Sequence, residues 1–180
     1  MNMIARYCCC LLLLQVFAVI TISAQPKCKI EHYSTEDGLS HDIITCTFKD
    51  REGFMWFGTW NGINRFDGQR FVTYKSSPGD QSYLKNHRID QIVDDDFWQL
   101  WIQAYDGQVY RFNKRTEKLL SLPAIIRLPP RNKYEFRRIL STSHGHIWIE
   151  TINEGLLLVT TPQADSSGYF TYQEGLSKDF

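Results

Sequence analysis

The chain has 180 residues, with 20 basic and 20 acidic side chains and a formal net charge of zero at pH 7. The charges balance and no basic cluster is present. The charge pattern therefore predicts neither a nucleic acid nor an acidic protein as a partner. The 5 Trp, 9 Tyr and 11 Phe residues, with frequent β-branched residues, favour strands. No segment shows sustained helical periodicity. Together with the strand-favouring composition, this predicts an all-β chain.

Residues 1–24 differ in kind from the rest. Arg6 precedes an apolar run from Cys8 to Ile22, and small residues follow at Ser23-Ala24. The run of about 15 residues is shorter than the roughly 20 that span a bilayer. Residues 1–24 are therefore predicted to be a secretory signal peptide, with no membrane span after its cleavage. An uncleaved membrane anchor is the alternative.

Signal cleavage leaves two cysteines, Cys28 and Cys46. Export permits a disulfide between them. The other interpretation makes Cys46 a small core residue on a strand and Cys28 a near-terminal thiol. No histidines are spaced so that they would complete a zinc site with these two cysteines, so no zinc site is predicted.

Taken in order, residues 25–180 predict a set of short strands. Ile30–Tyr33 is expected to be an orphan N-terminal strand. Blade 1, about 41–75, has strands at Ile43–Phe48, around Trp56, at Ile63–Phe66 and at Phe71–Tyr74. Blade 2, about 86–123, has strands at Ile89–Val93, Leu100–Ala104, Val109–Phe112 and Leu119–Leu122. Blade 3, about 134–173, has strands at Phe136–Leu140, Ile147–Thr151, Leu156–Val159 and Tyr169–Tyr172, and a fourth blade begins at 174–180.

The term blade rests on an internal repeat. A strand, a turn such as Asn61-Gly62 and a returning strand surround Trp56, and the pattern returns around Trp101 and Trp148. The three tryptophans are 45 and 47 residues apart, and are expected to pack in the core at one register. A repeat of roughly 40–50 residues, rich in short strands and turn glycines, is typical of propeller blades.

The predicted fold class is therefore all-β: an incomplete β-propeller of three four-stranded antiparallel blades plus the orphan strand. Propellers have about 4–8 blades, so three cannot close the ring. Blades 1 and 3 are each expected to expose an apolar face. Missing blades or self-association are expected to complete the ring, and the chain is interpreted as a truncated gene product or a fragment.

No catalytic, cofactor or metal residues are predicted. His144-Gly145-His146 and Asp94-Asp95-Asp96 occupy turn positions, and the acidic run lacks the spaced oxygens and the glutamate of a calcium loop. Ser40-His41-Asp42 are neighbours in sequence, which does not define a catalytic triad.

Two aromatic residues are the candidate ligand-binding residues. Trp60 and Tyr105 fall on the hairpin turns, two residues before Gly62 and Gly107. Exposed aromatic rings can stack on sugars, so both could contact a carbohydrate. Packing at a turn or blade edge is the alternative.

The pattern from Asp50 to Phe66, which reads Asp-x-x-Gly-x-x-Trp-x-Gly-Thr-x-x-Gly-x-x-Arg-Phe, resembles the two-component regulator propeller repeat. Gly38-Leu39-Ser40 lies upstream of it. Blade 2 keeps the aspartate as Asp95, whereas blade 3 has Thr142 there. The resemblance implies the periplasmic sensor region of a hybrid two-component system, anchored in the inner membrane, that recognises oligosaccharides.

Full members of that family resemble two propellers, a β-sandwich, a membrane helix, a histidine kinase and a response regulator with a helix-turn-helix. No kinase or output motif is found in this sequence. The predicted function is thus a periplasmic, ligand-sensing and non-catalytic propeller portion, with an oligosaccharide as the expected ligand. The alternatives are a fragment of an exported propeller enzyme, such as a polysaccharide lyase, and a non-functional gene remnant.

Overall fold

The structure is a computed structural model that describes Met3 and residues 28–75, 84–95, 97–126, 134–142, 145–152, 155–159 and 172–174. The chain divides into two units, residues 1–32 and 33–180. In the first unit, Lys29 and Glu31 form an exposed ion pair. The predicted signal peptide, apart from Met3, lies outside the described residues.

Residues 33–180 form three open four-stranded antiparallel sheets, each a simple meander. This confirms the predicted all-β fold class. Blade 1 contains β1 (Ile44–Lys49), β2 (Met55–Thr59), β3 (Gly62–Phe66) and β4 (Phe71–Tyr74). Blade 2 contains β5 (Ile89–Asp94), β6 (Gln99–Ala104), β7 (Val109–Asn113) and β8 (Lys118–Ser121). Blade 3 contains β9 (Phe136–Ser141), β10 (Ile147–Thr151), β11 (Leu156–Val159) and β12 (Tyr172–Glu174).

The structure differs from the predicted strands at Ile30–Tyr33 and at Leu122. Residues 28–34 form no strand, so the orphan strand at Ile30–Tyr33 is not formed. Tyr33 instead packs its ring on Phe66 and Phe71 of blade 1, with centroids 5.0 and 5.7 Å away. The last strand of blade 2 ends at Ser121, and Leu122–Ile125 form a single helical turn, α1. Pro123 favours this change because proline has no N–H for a sheet ladder and fits the first turn of a helix.

The hydrophobic core lies between successive blades. One cluster joins blades 1 and 2 and includes Trp56, Ile63, Ile89 and Phe112. A second cluster joins blades 2 and 3, where Trp101 packs with residues such as Ile139, Ile149 and Val159. Burial against neighbouring sheets is what stabilises each blade, because a sheet of this size has two apolar faces.

Two of the three repeated tryptophans face the following blade. Trp56 is 1% exposed in the core between blades 1 and 2, and Trp101 is 0% exposed in the core between blades 2 and 3. Trp148 is only half-buried, so the core position predicted for it is wrong. Its strand neighbours Ile147 and Ile149 face blade 2. Trp148 therefore occupies the opposite face, which no described strand covers.

Gly58 lies where blade 1 packs closely against blade 2. A Cβ atom added there would lie 2.5 Å from Sγ of Cys46 and 2.8 Å from Cγ2 of Ile89. Cys46 is a free thiol that packs against the core, and Cys28 is also free. Burial raises the pKa of the Cys46 thiol, so it stays protonated and unreactive at neutral pH.

Two glutamine side chains of blade 2 form hydrogen bonds to the backbone of blade 3. Gln91 of β5 accepts a hydrogen bond from the backbone N–H of Ile139 and donates one to its carbonyl, at 3.0 and 2.6 Å. Buried Gln103 donates to the carbonyl of Phe136 at 3.0 Å. These bonds satisfy backbone groups at the inner edge of β9, where no strand of the same sheet pairs.

The Gly38-Leu39-Ser40 segment is anchored to blade 1 by a polar network. The buried side chain of Asn64 accepts from Ser40 N at 2.9 Å and donates to Ser40 Oγ at 2.7 Å. Ser40 Oγ also lies 2.8 Å from Oγ1 of Thr59. Gly38 ends a 3₁₀ turn over Thr35–Asp37 with φ of 101°, a conformation that favours glycine.

Among the described residues, no helix is long and apolar enough to cross a membrane.

Candidate ligand-binding face

One end of the sheets gathers the turns after β2, β6 and β10 with the segments that enter β5 and β9. We call this end the turn face and define it by Trp60, Arg88, Tyr105, Glu135 and Ile152. The meander topology places the β1–β2 and β3–β4 turns, and their equivalents, at the other end.

Each blade places a large exposed apolar residue at an equivalent position of the turn face. Trp60, Tyr105 and Ile152 each lie four residues after the repeated tryptophan, and are 46%, 58% and 56% exposed. Their backbone N–H groups donate to the carbonyls of Ile43, Arg88 and Glu135 at 3.3, 2.9 and 2.9 Å. The repeat therefore holds one side chain per blade at an equivalent place.

The turn that carries Trp60 is firmly held. Oγ1 of Thr59 accepts from Asn61 N at 2.9 Å and donates to the carbonyl of Gly62 at 3.0 Å. Gly62 has φ of 112°, and a Cβ there would lie 2.9 Å from the carbonyl oxygen of Tyr74. Its N–H donates to the carbonyl of His87 at 2.8 Å, which links the turn to the segment entering blade 2.

Arg88 connects the two predicted ligand-binding residues. Its guanidinium carbon lies 3.8 Å from the ring centroid of Tyr105 and 5.2 Å from that of Trp60. Nε lies 3.5 Å from Oδ1 of Asp90, and is buried with no hydrogen-bond partner. His41 completes the cluster, with its ring 5.8 Å from that of Trp60. The structure thus brings Trp60 and Tyr105 together through a stacked cation.

A cleft of about 240 Å³ opens beside Tyr105, between blades 2 and 3. Its walls are Tyr105, Asp106, Gly107 and Gln108 on one side, and Tyr134, Glu135, Phe136 and Ile152 on the other. The turn face therefore combines exposed rings, a cation and a concave surface, which are the features expected of a small-molecule site.

A larger cavity of about 580 Å³ lies between the outer strands of blades 1 and 2. There the hydroxyl of Tyr74 donates to Glu117 at 2.8 Å, and Arg65 lies 3.7 Å from the same carboxylate. Desolvation, with this hydrogen bond, raises the pKa of Tyr74 far above its usual range. Because these polar groups already bind one another, we favour the turn face as the candidate site.

At the opposite end, a buried cation joins blades 1 and 2. Nζ of Lys114 lies 2.7 Å from Glu52, 3.0 Å from Asp94 and 3.8 Å from Asp50, and its side chain is 7% exposed. Desolvation raises the pKa of Asp94 to about 6, against the opposing effect of Lys114. Lys114 offsets part of the negative charge of the three carboxylates and holds them together across the two blades, so we interpret the cluster as structural.

Two members of the acidic run Asp94-Asp95-Asp96 have structural partners at this end of the sheets. Asp95 accepts from Phe97 N at 2.7 Å, Gln99 N at 3.1 Å and the indole of Trp101 at 3.1 Å. Asp94 binds Lys114. Asp96 and His144, members of the two runs examined as metal sites, lie outside the described residues.

Arg88 was missed at the level of sequence. The only available signal was its place directly before the first strand of blade 2, the position that Ile43 and Glu135 hold in the other blades. That register does not reveal that the side chain reaches rings from two different blades.

Parts of this chain are similar to known proteins. A protein-family pattern, the two component regulator propeller, matches residues 38–61. This part of blade 1 is therefore similar to the two-component regulator propeller repeat. The match extends from the anchored Gly38-Leu39-Ser40 segment through the β2–β3 turn, and so includes Trp60 at its end.

The fold of this chain is also similar to that of a solved structure. The extracellular domain of a hybrid two component system from B. thetaiotaomicron superimposes with a TM-score of 0.59 at 22% identity, over 78% of this chain and 19% of that chain. This likeness shows a shared fold. A second such domain from the same organism has a TM-score of 0.49 and 29% identity, over 65% of this chain and 16% of its own.

One curated relative is a histidine kinase, P4, from Formosa agariphila. It is 32% identical over 69 residues, which are 38% of this chain and 5% of the kinase. The chain therefore spans about a fifth or less of the length of these relatives.

Proposed function

We propose that this chain is part of the exported sensor domain of a hybrid two-component system, and that it binds oligosaccharides on its turn face. The propeller repeat in blade 1 and the fold shared with an extracellular domain support the sensor assignment. The chain acts by binding, and the kinase and output steps belong to other parts of the system.

A periplasmic location follows from the predicted signal peptide. A signal sequence of this type is read by the export machinery and removed, which leaves the propeller outside the inner membrane. The extracellular position of the structural relative agrees with this assignment.

The pairing of Trp60 and Tyr105 through Arg88 carries the ligand proposal. Two large aromatic side chains, 46% and 58% exposed, lie on one face and contact the same guanidinium. Exposed apolar side chains that cluster on one face, unlike single scattered ones, often mark a binding site. A sugar offers an apolar C–H face to such a ring and hydroxyl oxygens to the donors beside it.

The test is calorimetric titration of the purified protein with a panel of plant and algal oligosaccharides. We expect Trp60→Ala and Tyr105→Ala each to weaken binding by about tenfold, as expected for residues near the centre of an interface. Trp98→Ala is the matched control, because Trp98 is 40% exposed but lies in the β5–β6 turn at the other end of blade 2. Equal losses in all three variants, or no binding to any oligosaccharide, would contradict the proposal.

A further inference from the structure

We propose that Arg88 makes the turn face selective for oligosaccharides that carry carboxylates, meaning chains that contain uronic acids. The inference rests on the proposed function and specifies its ligand class. It begins from a cation whose hydrogen-bonding capacity is largely unused.

The side chain of Arg88 is fixed in place, but its guanidinium N–H groups lack hydrogen-bond acceptors among the described residues. Its backbone N–H donates to Oδ1 of Asn86 at 2.9 Å, which fixes the start of the side chain. The guanidinium itself donates no hydrogen bond to a described residue, and Asp90 at 3.5 Å is its one ion pair among them. Its terminal N–H groups are therefore free to donate to an acceptor that a ligand supplies.

The stacking geometry selects the type of acceptor. A guanidinium that lies 3.8 Å above the ring of Tyr105 presents its N–H groups outward from its edge. Those groups form a planar fork, which matches the two oxygens of a carboxylate better than a single hydroxyl. A uronic acid joins such a carboxylate to a pyranose ring, whose apolar face can stack on a neighbouring aromatic ring.

The surrounding charges indicate where the carboxylate lies. Asp106 and Glu135 line the cleft on the far side of Tyr105 and would repel an anion. On the other side of Arg88, the imidazole ring of His41 lies 5.8 Å from the indole ring of Trp60. We therefore place the uronate carboxylate on the Trp60 side of Arg88, with its sugar ring against the indole of Trp60.

A second stacked arginine provides the comparison. Arg115 lies 4.2 Å from the ring of Trp98 at the opposite end of blade 2. It contacts one exposed ring instead of two. Arg115→Gln therefore removes the same charge and a similar stack without touching the turn face.

The test compares uronate tetramers with their methyl esters, which keep the stereochemistry and lose the charge. Galacturonate, mannuronate and glucuronate series are titrated calorimetrically into the purified protein. We expect at least one acid to bind at least tenfold more tightly than its ester. Arg88→Gln should abolish that preference, Arg88→Lys should keep part of it, and Arg115→Gln should keep all of it.

Three results would overturn the inference. The acid and its ester could bind wild type equally through Trp60, in which case oligosaccharide binding stands and acid selectivity fails. Arg88→Gln could retain the preference for the acid. Binding could be absent for every tetramer, acid or ester, in which case the proposed function fails with it. Thermal melting shows whether Arg88→Gln is folded, and the comparison of acid with ester on wild type needs no variant.

Discussion

The carboxylate of Asp50 accepts a hydrogen bond from the indole Nε1 of Trp56 at 2.7 Å, inside the protein. The same six-residue spacing returns in blade 2, where Asp95 accepts from Trp101 at 3.1 Å. The bond ties the turn between the first two strands of a blade to the tryptophan that faces the next blade. In blade 3 the aspartate is replaced by Thr142, and the indole of Trp148 is half-buried.

Replacing Asp50 with alanine should destabilise the protein strongly. The change leaves the buried indole of Trp56 and the N–H of Phe54 without their acceptor, and removes one carboxylate from Lys114. Loss of one partner in a buried charged network costs about 3–5 kcal/mol. Urea unfolding followed by tryptophan fluorescence measures the free energy of unfolding.

The matched control is Asp106→Ala, since Asp106 is an exposed turn aspartate of blade 2. Exposed substitutions of this kind change stability by about 0.5 kcal/mol or less. A similar small effect for Asp50→Ala would show that the Asp–Trp bond does not hold the blade.

Gly58→Ala should destabilise by about 1–3 kcal/mol, the cost typical of overpacking. The new methyl group would meet Sγ of Cys46 at 2.5 Å and Ile89 at 2.8 Å, so blades 1 and 2 must separate locally. Chemical denaturation gives the size of the effect.

The double variant Cys46→Ala with Gly58→Ala tests this mechanism. Removing the sulfur relieves one of the two contacts, so the combined loss should be smaller than the sum of the single losses. Additive losses would mean that the added methyl group does not meet Cys46.

The ion cluster predicts an opposing pH dependence from two carboxylates. Burial raises the pKa of Asp94 from 3.8 to about 6, so the native state binds this proton more tightly than the unfolded state. The contribution of Asp94 to stability therefore falls as pH rises from about 4 to about 6. Burial, the largest single effect, would raise the pKa of Glu52, but the hydrogen bond and charge of Lys114, together with other hydrogen bonds to the carboxylate, outweigh it and the pKa is lowered. The contribution of Glu52 is present above its ordinary pKa of 4.5 and is lost as the pH falls through the lowered value.

Asp94→Asn isolates the first effect. The stability of wild type relative to this variant should decrease between pH 4 and pH 6, by about 1 kcal/mol after allowance for partial exposure. Urea unfolding at a series of pH values measures the difference, with Asp106→Asn as the control. A difference that is constant across this range would contradict a raised pKa for Asp94.

Asn64→Ala should release the Gly38-Leu39-Ser40 segment from blade 1. Asn64 is fully buried, and its side chain binds Ser40 and accepts from Thr73 Oγ1 at 2.9 Å. We expect a loss of about 2–3 kcal/mol, since several groups lose partners at once. Amide hydrogen exchange at Leu39 and Ser40 should accelerate more than exchange in blade 2, and equal acceleration in both would disprove a local anchoring role.

Much of the fold could be predicted from the sequence because each strand has its own local signals. Asn61-Gly62 and alternating apolar residues specify a hairpin without reference to the rest of the chain. The strands at Phe71–Tyr74, Ile147–Thr151 and Leu156–Val159 were predicted with the bounds that the structure has. The orphan strand failed because an apolar alternation at Ile30–Tyr33 does not reveal whether a partner strand is available.

Less of the candidate ligand-binding site could be predicted from the sequence. Placing Trp60 and Tyr105 at turns needed only their spacing from Gly62 and Gly107. Their shared contact with Arg88 depends on how blade 2 packs against blade 1, which no local pattern encodes. The unequal burial of the three tryptophans has the same origin, since it depends on which blade follows each one.

Nuclear magnetic resonance of the indole N–H groups tests oligosaccharide binding on the turn face most directly. The sequence has five tryptophans, and each gives one resonance that a Trp→Phe variant assigns. On addition of a binding oligosaccharide, we predict that the Trp60 resonance shifts while those of buried Trp56 and Trp101 and of Trp98, at the opposite end, stay in place. A shift of Trp98 without Trp60, or no shift at Trp60 at saturation, would contradict binding at this face.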